Sequence, residues 1–354
     1  MALIAVTVDQ LTPEFLGEVL GHPGELRSVS ASRIGTGQVA LSLRLDLEWA
    51  DGSAAEAPTV LIAKIPATEP ASREAARLHR TYHLEVGFYR DVSSRVSVPH
   101  PRSLHAEIDD ESGDFTLVME PASGVVGDQL AGCSVAEATA MVDAAVGLHA
   151  PTWDSLGEFG SLPWLPVPDL SMLEVRVNAY RALLPGFVER FSSRLGADVI
   201  DAARWLGDHL VDVALAYRSP FCLIHGDFRL DNMLFDAGAD GSSSVTVLDW
   251  QTVAFGRGAV DVAYGLGSGL LPDLRREHES SLVDRYVDGL LAAGVGCDPD
   301  DVRRDHRLGT VSGLAMSVIA SQLVASTKRG DEMFAVMAER HAWQMADNDV
   351  FSLV

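Results

Sequence analysis

The sequence has few cysteines, few basic residues and no long apolar run, and each shortage argues against a class of protein. Its 354 residues include three cysteines, Cys133, Cys222 and Cys297, which lie far apart and are odd in number. This pattern predicts neither a disulfide framework nor a cysteine-based metal site. No segment approaches the roughly 18 consecutive apolar residues of a membrane-spanning helix. No association with a membrane is therefore expected.

Basic residues are outnumbered by acidic ones, 27 against 50, which gives a formal net charge of −23. A field of this sign repels nucleic acid and anionic membrane surfaces. It favours a cationic substrate or partner, with solubility alone as the alternative explanation. The opening residues, "MALIAVTVDQ", lack the basic region of a secretory signal. A reduced, cytoplasmic protein is expected.

Apolar patterning divides the chain into a strand-rich first third and a helix-rich remainder. "LSLRLDLEW" (41–49) alternates apolar and polar residues, and "TVLIAKI" (59–65) and "FTLVMEP" (115–121) are apolar runs typical of strands. Between them, 72–94 has the spacing of a helix. From 134 onwards the pattern is helical, apart from short strands in "FCLIH" and "SVTVLDW".

These patterns predict an α+β fold of two lobes, because a chain of this length exceeds the usual size of one core. We expect a small β-rich N-lobe over 1–119, a linker over 120–125 and a larger helical C-lobe over 126–354.

A dense group of polar residues, "HGDFRLDN" (225–232), follows one of the short strands. The next two strands form a hairpin that can bring Asp227, Asn232 and Asp249 to the same end of a sheet. Two carboxylates and an amide oxygen are hard ligands that suit Mg²⁺. Because Mg²⁺ completes its coordination with phosphate oxygens and water, this pattern favours phosphate chemistry.

"HGDFRLDN" followed by "VLDW" resembles the catalytic core of the aminoglycoside phosphotransferase and choline kinase family, relatives of the protein kinases. "GFYR" and "LDWQ" resemble the ecdysteroid-kinase-like branch in particular. The resemblance implies a protein-kinase-like fold that uses Mg²⁺ and transfers the γ-phosphoryl group of ATP or GTP to a hydroxyl. The acceptor would be a small molecule, either aminoglycoside-like or another metabolite.

The same resemblance implies a role for each polar residue of the motif. Asp227 would be the catalytic base, and Asn232 and Asp249 would bind Mg²⁺. Arg229 would neutralise the moving phosphate, or alternatively pair with Asp231 to stabilise the loop. Two further residues, His225 and Asp261, are expected to brace the catalytic loop.

Further residues would form the nucleotide site. Lys64 would bind the α- and β-phosphates, and it needs a carboxylate partner from the next helix. Glu85 is the favoured partner because it falls within an apolar stripe, where an unpaired carboxylate is costly; Glu74 is the alternative. The linker residues Met119, Glu120 and Ala122 would contact adenine. A turn with Gly35 and Gly37 would cover the phosphates.

Two alternatives remain open at this stage. The chain could be a non-catalytic nucleotide-binding pseudokinase, although Lys64, Asp227, Asn232 and Asp249 are all present. The loop tryptophans Trp153 and Trp164 could line an acceptor pocket or serve only in packing.

Overall fold

The structure is a computed structural model that describes residues 3–35, 39–50 and 57–354. The chain packs into two compact units. The first comprises Met1–Arg95, His100–Ser123 and Leu248–Val253, and the second comprises Val96–Pro99, Gly124–Val247 and Ala254–Val354. The first unit therefore includes a short segment from much later in the sequence.

The first unit is built on an antiparallel sheet that has five strands within the described residues. In chain order these are β1 (Leu26–Arg33), β2 (Ala40–Trp49), β3 (Val60–Pro66), β4 (Ser103–Ile108) and β5 (Phe115–Met119). They lie in the order β1-β2-β3-β5-β4. Alternate residues of β2, Leu43, Leu45 and Leu47, are buried, as the period of two predicts.

Position 64 lies in the middle of this sheet. Lys64 on β3 is paired with Ser42 of β2 on one side and with Leu117 of β5 on the other. The strand therefore has a hydrogen-bonded neighbour on both edges, and the backbone that carries Lys64 is firmly fixed.

The helices of the first unit are α1 (Pro13–Val19), α2 (Pro70–Leu78) and α3 (Thr81–Gly87), which continues as a π-helical turn over Phe88–Val92. The prediction of one helix over 72–94 is wrong, because Arg80 adopts a left-handed backbone with φ 55° and separates α2 from α3. The break changes which residues share a face. Leu78, which a continuous helix would place on the same face as Glu85, is 75% exposed, whereas Glu85 is buried.

Small strands of the second unit flank the polar motif. β7 (Cys222–Ile224) pairs with β10 (Ala254–Gly256), while β6 (Val125–Val126), β8 (Met233–Ala237) and β9 (Ser243–Val247) form a separate sheet in the order β6-β8-β9. The strand expected to run through "SVTVLDW" ends at Val247, before Asp249. The loop over 225–232 is thus held between the end of β7 and the start of β8.

Helices make up most of the second unit. They are α4 (Val135–His149), α5 (Leu156–Phe159), α6 (Leu170–Phe191), α7 (Ala197–Ala216), α8 (Gly258–Gly269), α9 (Pro272–Ala292), α10 (Pro299–Gly309), α11 (Val311–Leu323) and α12 (Lys328–Asp347). α8 is buried along nearly its whole length, as expected for a helix with apolar and small residues on every side. None of the helices in the described part of the chain has the length and apolar character needed to cross a bilayer.

Candidate active site

Lys64 is the centre of a network of charged and polar side chains in the first unit. Its Nζ lies 2.5 Å from Oε1 of Glu85 and 3.2 Å from Oδ1 of Asp249. The second oxygen of Glu85 accepts a hydrogen bond from Nε2 of Gln251 at 3.1 Å. Of the two candidate partners, Glu85 therefore contacts Lys64, and Glu74 is exposed on α2.

The network keeps Lys64 charged. Burial by itself lowers the pKa of Lys64, but the carboxylates of Asp249 and Glu85 outweigh it and raise the pKa above its ordinary value. Burial raises the pKa of Glu85, and the charge of Lys64 opposes that change. The Glu85 side chain is only 1% exposed, so the ammonium group supplies the countercharge that this carboxylate needs.

The segment that contains Asp249 is fixed to the end of α3 by aromatic stacking. The rings of Trp250 and Phe88 lie 3.6 Å apart between centroids with an angle of 4° between their planes. Both residues are fully buried. Asp249 itself has a left-handed backbone, with φ 64°, and its side chain remains 42% exposed. The stack therefore fixes the chain directly after a carboxylate that solvent can reach.

Asp227, in the second unit, is held by three donors. Nε of Arg229 donates to both of its carboxylate oxygens at 3.0 Å. The Tyr264 hydroxyl donates to Oδ1 at 2.9 Å, and Nδ2 of Asn232 donates to Oδ2 at 2.8 Å. The position of this carboxylate is thus defined from three sides.

These contacts also fix the charge of Asp227. Burial acts to raise the pKa of Asp227, but the positive charge of Arg229 and the hydrogen bonds that the carboxylate accepts are among the causes that together lower it below the ordinary value. The hydrogen bond from Tyr264 acts in the same direction. Asp227 is therefore ionised at neutral pH and can accept a hydrogen bond, and then a proton, from a hydroxyl group.

The backbone of the loop is braced by α8. Oδ2 of Asp261 accepts a hydrogen bond from the N–H of His225 at 2.6 Å, and Oδ1 accepts from the N–H of Gly226 at 3.1 Å. Gly226 has φ 81°, a conformation that favours glycine. Nδ1 of His225 accepts from the N–H of Asp227 at 3.3 Å. His225 and Asp261 thus make the bracing contacts that the sequence predicts.

Comparison with known protein families matches residues 40–303, three quarters of the chain, to APH, the phosphotransferase enzyme family. The chain belongs to this phosphotransferase family. A comparison with curated proteins finds no match.

Solved structures similar to this phosphotransferase share its fold at low sequence identity. An ethanolamine kinase from Plasmodium vivax has a TM-score of 0.54 and 14% identity, covering 92% of this chain and 83% of that one. A choline kinase from Cryptosporidium parvum Iowa II has a TM-score of 0.52 and 10% identity, covering 92% and 90%. The ADP-bound aminoglycoside phosphotransferase APH(2'')-Ib has a TM-score of 0.51 and 15% identity, covering 94% and 97%. The prediction of a kinase-like fold is confirmed.

Donor atoms in the phosphotransferase suit the divalent ion that its family implies. Nδ2 of Asn232 donates to the backbone carbonyl of Asp227 at 2.9 Å and to its Oδ2 at 2.8 Å. That orientation leaves the amide oxygen of Asn232 to act as a ligand. In the first unit, the carboxylate of Asp249, which is 42% exposed, is likewise a hard oxygen donor. Amide and carboxylate oxygens fit Mg²⁺.

Arg229 contacts both carboxylates of its loop. Besides its bonds to Asp227, its Nη1 lies 2.6 Å from Oδ2 of Asp231. The pair with Asp231 was one of the two roles expected for this arginine. The side chain is 20% exposed, so part of the guanidinium still reaches solvent.

The remaining predicted residues are placed as follows. Met119 ends β5 and is buried, and the N–H of Glu120 donates to the carbonyl of Arg102 at 2.9 Å. Gly35 lies in a bend with φ 68°, and Gly37 lies outside the described residues. Ala122 is half-buried in the segment after β5.

The two loop tryptophans differ in burial. Trp164 is 3% exposed, which is typical of packing, and Trp153 is half-buried.

Two residues of the site were missed from the sequence. Tyr264 lies one helical turn after Asp261, so both side chains face the same loop. Gln251 lies two residues after Asp249 and reaches Glu85. The helical spacing from Asp261 was the available signal for Tyr264. Gln251 stands in the quoted "LDWQ", but no pattern pointed to its contact with Glu85, because that partner is 166 residues away in sequence.

Proposed function

We propose that the chain is a Mg²⁺-dependent small-molecule kinase that transfers the γ-phosphoryl group of ATP or GTP to a hydroxyl group. The observation that carries this proposal is the Asp227 carboxylate, which is ionised and held by Arg229, Asn232 and Tyr264. An ionised carboxylate fixed in this way is suited to orient a hydroxyl and to accept its proton.

In this proposal Asp227 binds the acceptor hydroxyl and takes its proton as the oxygen forms a bond to phosphorus. Arg229 holds the carboxylate and offsets negative charge next to the transferred group. Its double ion pair with Asp227 and Asp231 supports the first of these tasks directly. Most of the catalysis would come from positioning and charge neutralisation, as is usual for phosphoryl transfer.

Lys64 is the proposed ligand of the α- and β-phosphates, and its contact with the buried Glu85 supports the assignment. Asn232 and Asp249 are the proposed ligands of Mg²⁺, which when bound would neutralise phosphate charge. The loop with Gly35 and Gly37 would cover the phosphates. The linker residues Met119, Glu120 and Ala122 would contact the base.

A hydroxylated and cationic acceptor is favoured by two independent observations. The chain carries a net charge of −23. The similar structures include an ethanolamine kinase, a choline kinase and an aminoglycoside phosphotransferase, and the alcohols in those names are cations. An acidic protein attracts such substrates over a distance. We accordingly propose a cytoplasmic enzyme whose acceptor is an amino alcohol or an aminoglycoside-like compound.

Nucleotide binding and turnover test the proposal separately. Thermal unfolding is measured with ATP or GTP, with Mg²⁺ or with EDTA, and release of ADP or GDP is measured with amino alcohols, aminoglycosides and neutral polyols. We expect a Mg²⁺-dependent rise in Tm and nucleoside diphosphate release that increases with one acceptor class.

Asp227→Ala should reduce turnover by at least about a hundredfold, the contribution typical of a general base, and should keep the nucleotide-dependent rise in Tm. The matched control is Asp240→Asn in the exposed turn between β8 and β9, which should leave both measurements unchanged. Nucleotide binding without turnover in the unmodified chain would instead support the pseudokinase hypothesis.

A further inference from the structure

A buried tyrosine hydroxyl contacts the proposed catalytic carboxylate. Tyr264 is 2% exposed, and its hydroxyl donates to Oδ1 of Asp227 at 2.9 Å. Tyrosine hydroxyls that are buried usually require a hydrogen-bond partner. Here that partner is the one carboxylate expected to take part directly in the reaction.

The geometry around Asp227 shows what this bond contributes. A carboxylate has about four acceptor positions. Oδ1 accepts from Nε of Arg229 and from the Tyr264 hydroxyl, and Oδ2 accepts from the same Nε and from Nδ2 of Asn232, so each oxygen already has two donors. The Asp227 carboxylate is therefore held in one orientation within the loop. Without the Tyr264 bond, Oδ1 keeps only the Arg229 hydrogen that it shares with Oδ2, and the carboxylate is less constrained.

α8 places two side chains against the catalytic loop for different purposes. Asp261, in its first turn, accepts hydrogen bonds from the backbone of His225 and Gly226. Tyr264, one turn later on the same face, bonds to the side chain of Asp227. The first fixes the path of the loop, and the second fixes the orientation of the carboxylate.

Tyr264 is itself held in place by a buried polar cluster. Its ring lies 5.5 Å from the ring of His341 at an angle of 32°. Nδ1 of His341 is 3.1 Å from Oε1 of Gln344, and Nε2 of Gln344 donates to Glu279 at 2.6 Å and to the carbonyl of Ala263 at 3.1 Å. The tyrosine can therefore act as a rigid donor.

We propose that Tyr264 is a positioning residue that orients the Asp227 carboxylate for the acceptor hydroxyl. This inference rests on the proposed function, since it assigns a role within the same reaction. Tyr264 does not exchange a proton with the substrate in this scheme. It restricts the base to one orientation, and a small misplacement of a reacting group can cost up to about a hundredfold in rate.

The test compares Tyr264→Phe with Tyr180→Phe. The first variant removes the hydroxyl and keeps the ring that packs on His341. The control removes an equally buried hydroxyl, which donates to the carbonyl of Ala203 at 2.8 Å and lies outside the catalytic loop. Both variants lose one buried hydrogen bond, so both should lower Tm by about 2–4 °C.

Kinetics with Mg²⁺·ATP then separate positioning from stability. Tyr264→Phe should lower kcat by about ten- to a hundredfold and change KM for ATP by less than about twofold, because the nucleotide contacts are assigned to other residues. Tyr180→Phe should leave kcat unchanged. A kcat of Tyr264→Phe equal to that of the unmodified chain would overturn the inference and leave the proposed function standing.

A double-mutant cycle measured by thermal unfolding tests the hydrogen bond without any turnover. Tyr264→Phe is made in the unmodified chain and in Asp227→Ala, and the two changes in Tm are compared. If the hydroxyl bonds to Asp227, the loss of Tm should disappear or reverse in the Asp227→Ala background, where the hydroxyl has lost its partner. Equal losses in both backgrounds would refute the contact. Absence of turnover in the unmodified chain would refute the proposed function, and the positioning role with it.

Discussion

At the scale of single residues, Lys64 and Glu85 form an ion pair whose members depend on each other. Lys64→Met leaves the Glu85 carboxylate buried with no countercharge at Oε1. We expect the free energy of unfolding to fall by about 3–5 kcal/mol, as when one member of a buried pair is removed. Urea unfolding measures the change, and weaker binding of Mg²⁺·ATP should accompany it.

Two further variants sharpen this prediction. Lys64→Met combined with Glu85→Gln removes both charges and should recover part of the lost stability. Arg44→Met breaks an ion pair with Asp46 on the same sheet, where both side chains are nearly half exposed, and should change stability by less than about 1 kcal/mol. A loss in Lys64→Met no larger than that in Arg44→Met would contradict the structure.

Residue types and spacing predicted much of the network but missed its neutral donors. Glu85 could be found because a carboxylate in an apolar stripe needs a cation. Asp227 and Asn232 lie within six residues, and their contact follows from the tight loop. Tyr264 and Gln251 are uncharged and come from distant segments, and burial of a tyrosine or glutamine requires no particular partner. The spacing from Asp261 directs Tyr264 towards the loop without identifying its partner, and the contact of Gln251 depends on tertiary packing that no local pattern encodes.

At the scale of elements, α8 packs closely because it contains glycines where other helices approach. A Cβ added at Gly267 would lie 1.9 Å from Oε1 of Gln344 and 2.6 Å from Cε1 of His341. Both neighbours belong to the cluster that supports Tyr264, and neither can move without losing hydrogen bonds. The helix therefore needs glycine at this position.

Gly267→Ala should lower the free energy of unfolding by about 1–3 kcal/mol, the usual cost of overpacking. Gly157→Ala is the matched control in α5, where an added Cβ meets nothing within 4 Å, and it should be neutral or stabilising by up to about 1 kcal/mol. Thermal and urea unfolding of both variants check the prediction, and equal stability of the two would contradict the packing of α8.

Elements were predicted best where the apolar period was regular. β2, β3 and β5 follow from alternation or apolar runs. The helix over 72–94 was predicted as continuous because its composition is helical throughout. The left-handed Arg80 that divides it leaves no sequence signal, since arginine rarely adopts that conformation. β4 was missed although its sequence, "SLHAEI", alternates polar and apolar residues; in the structure all six residues are half-buried.

At the scale of the whole molecule, buried titratable groups make stability depend on pH. Burial lowers the pKa of His341 to about 4. Burial of Glu279 acts to raise its pKa, but the hydrogen bond and charge of His306 and the charge of Arg275 lower it to about 2. In both cases the unfolded chain binds a proton more readily than the folded one. Stability therefore falls as the pH falls.

The two groups act in successive ranges. His341 removes stability between its ordinary pKa of about 6.5 and its folded value, and Glu279 removes more below about pH 4.5. We expect an unfolding free energy that is nearly constant above about pH 6.5. Below that pH, His341 should lower it by up to about 1.4 kcal/mol per pH unit, and below about pH 4.5 Glu279 should add a further loss of up to the same size. Urea unfolding between pH 4 and pH 8 measures this slope.

His341→Asn should flatten the slope between pH 4 and pH 6.5, because the variant has no imidazole to protonate on unfolding. His278→Asn, at a partly exposed position on α9, serves as the control and should keep the slope of the unmodified chain. An identical slope in all three proteins would show that His341 does not govern acid stability.

The first unit is built from segments that lie far apart in the sequence, and this has a consequence for biosynthesis. When the ribosome has released residues up to Ser123, the described strands β1 to β5 of the first sheet have been made, whereas Leu248–Val253 has not. Phe88 then lacks the ring of Trp250, and Lys64 lacks Asp249. The first unit is complete only after Leu248–Val253 has emerged from the ribosome. Co-translational folding of this protein therefore cannot finish one unit before most of the next has been translated.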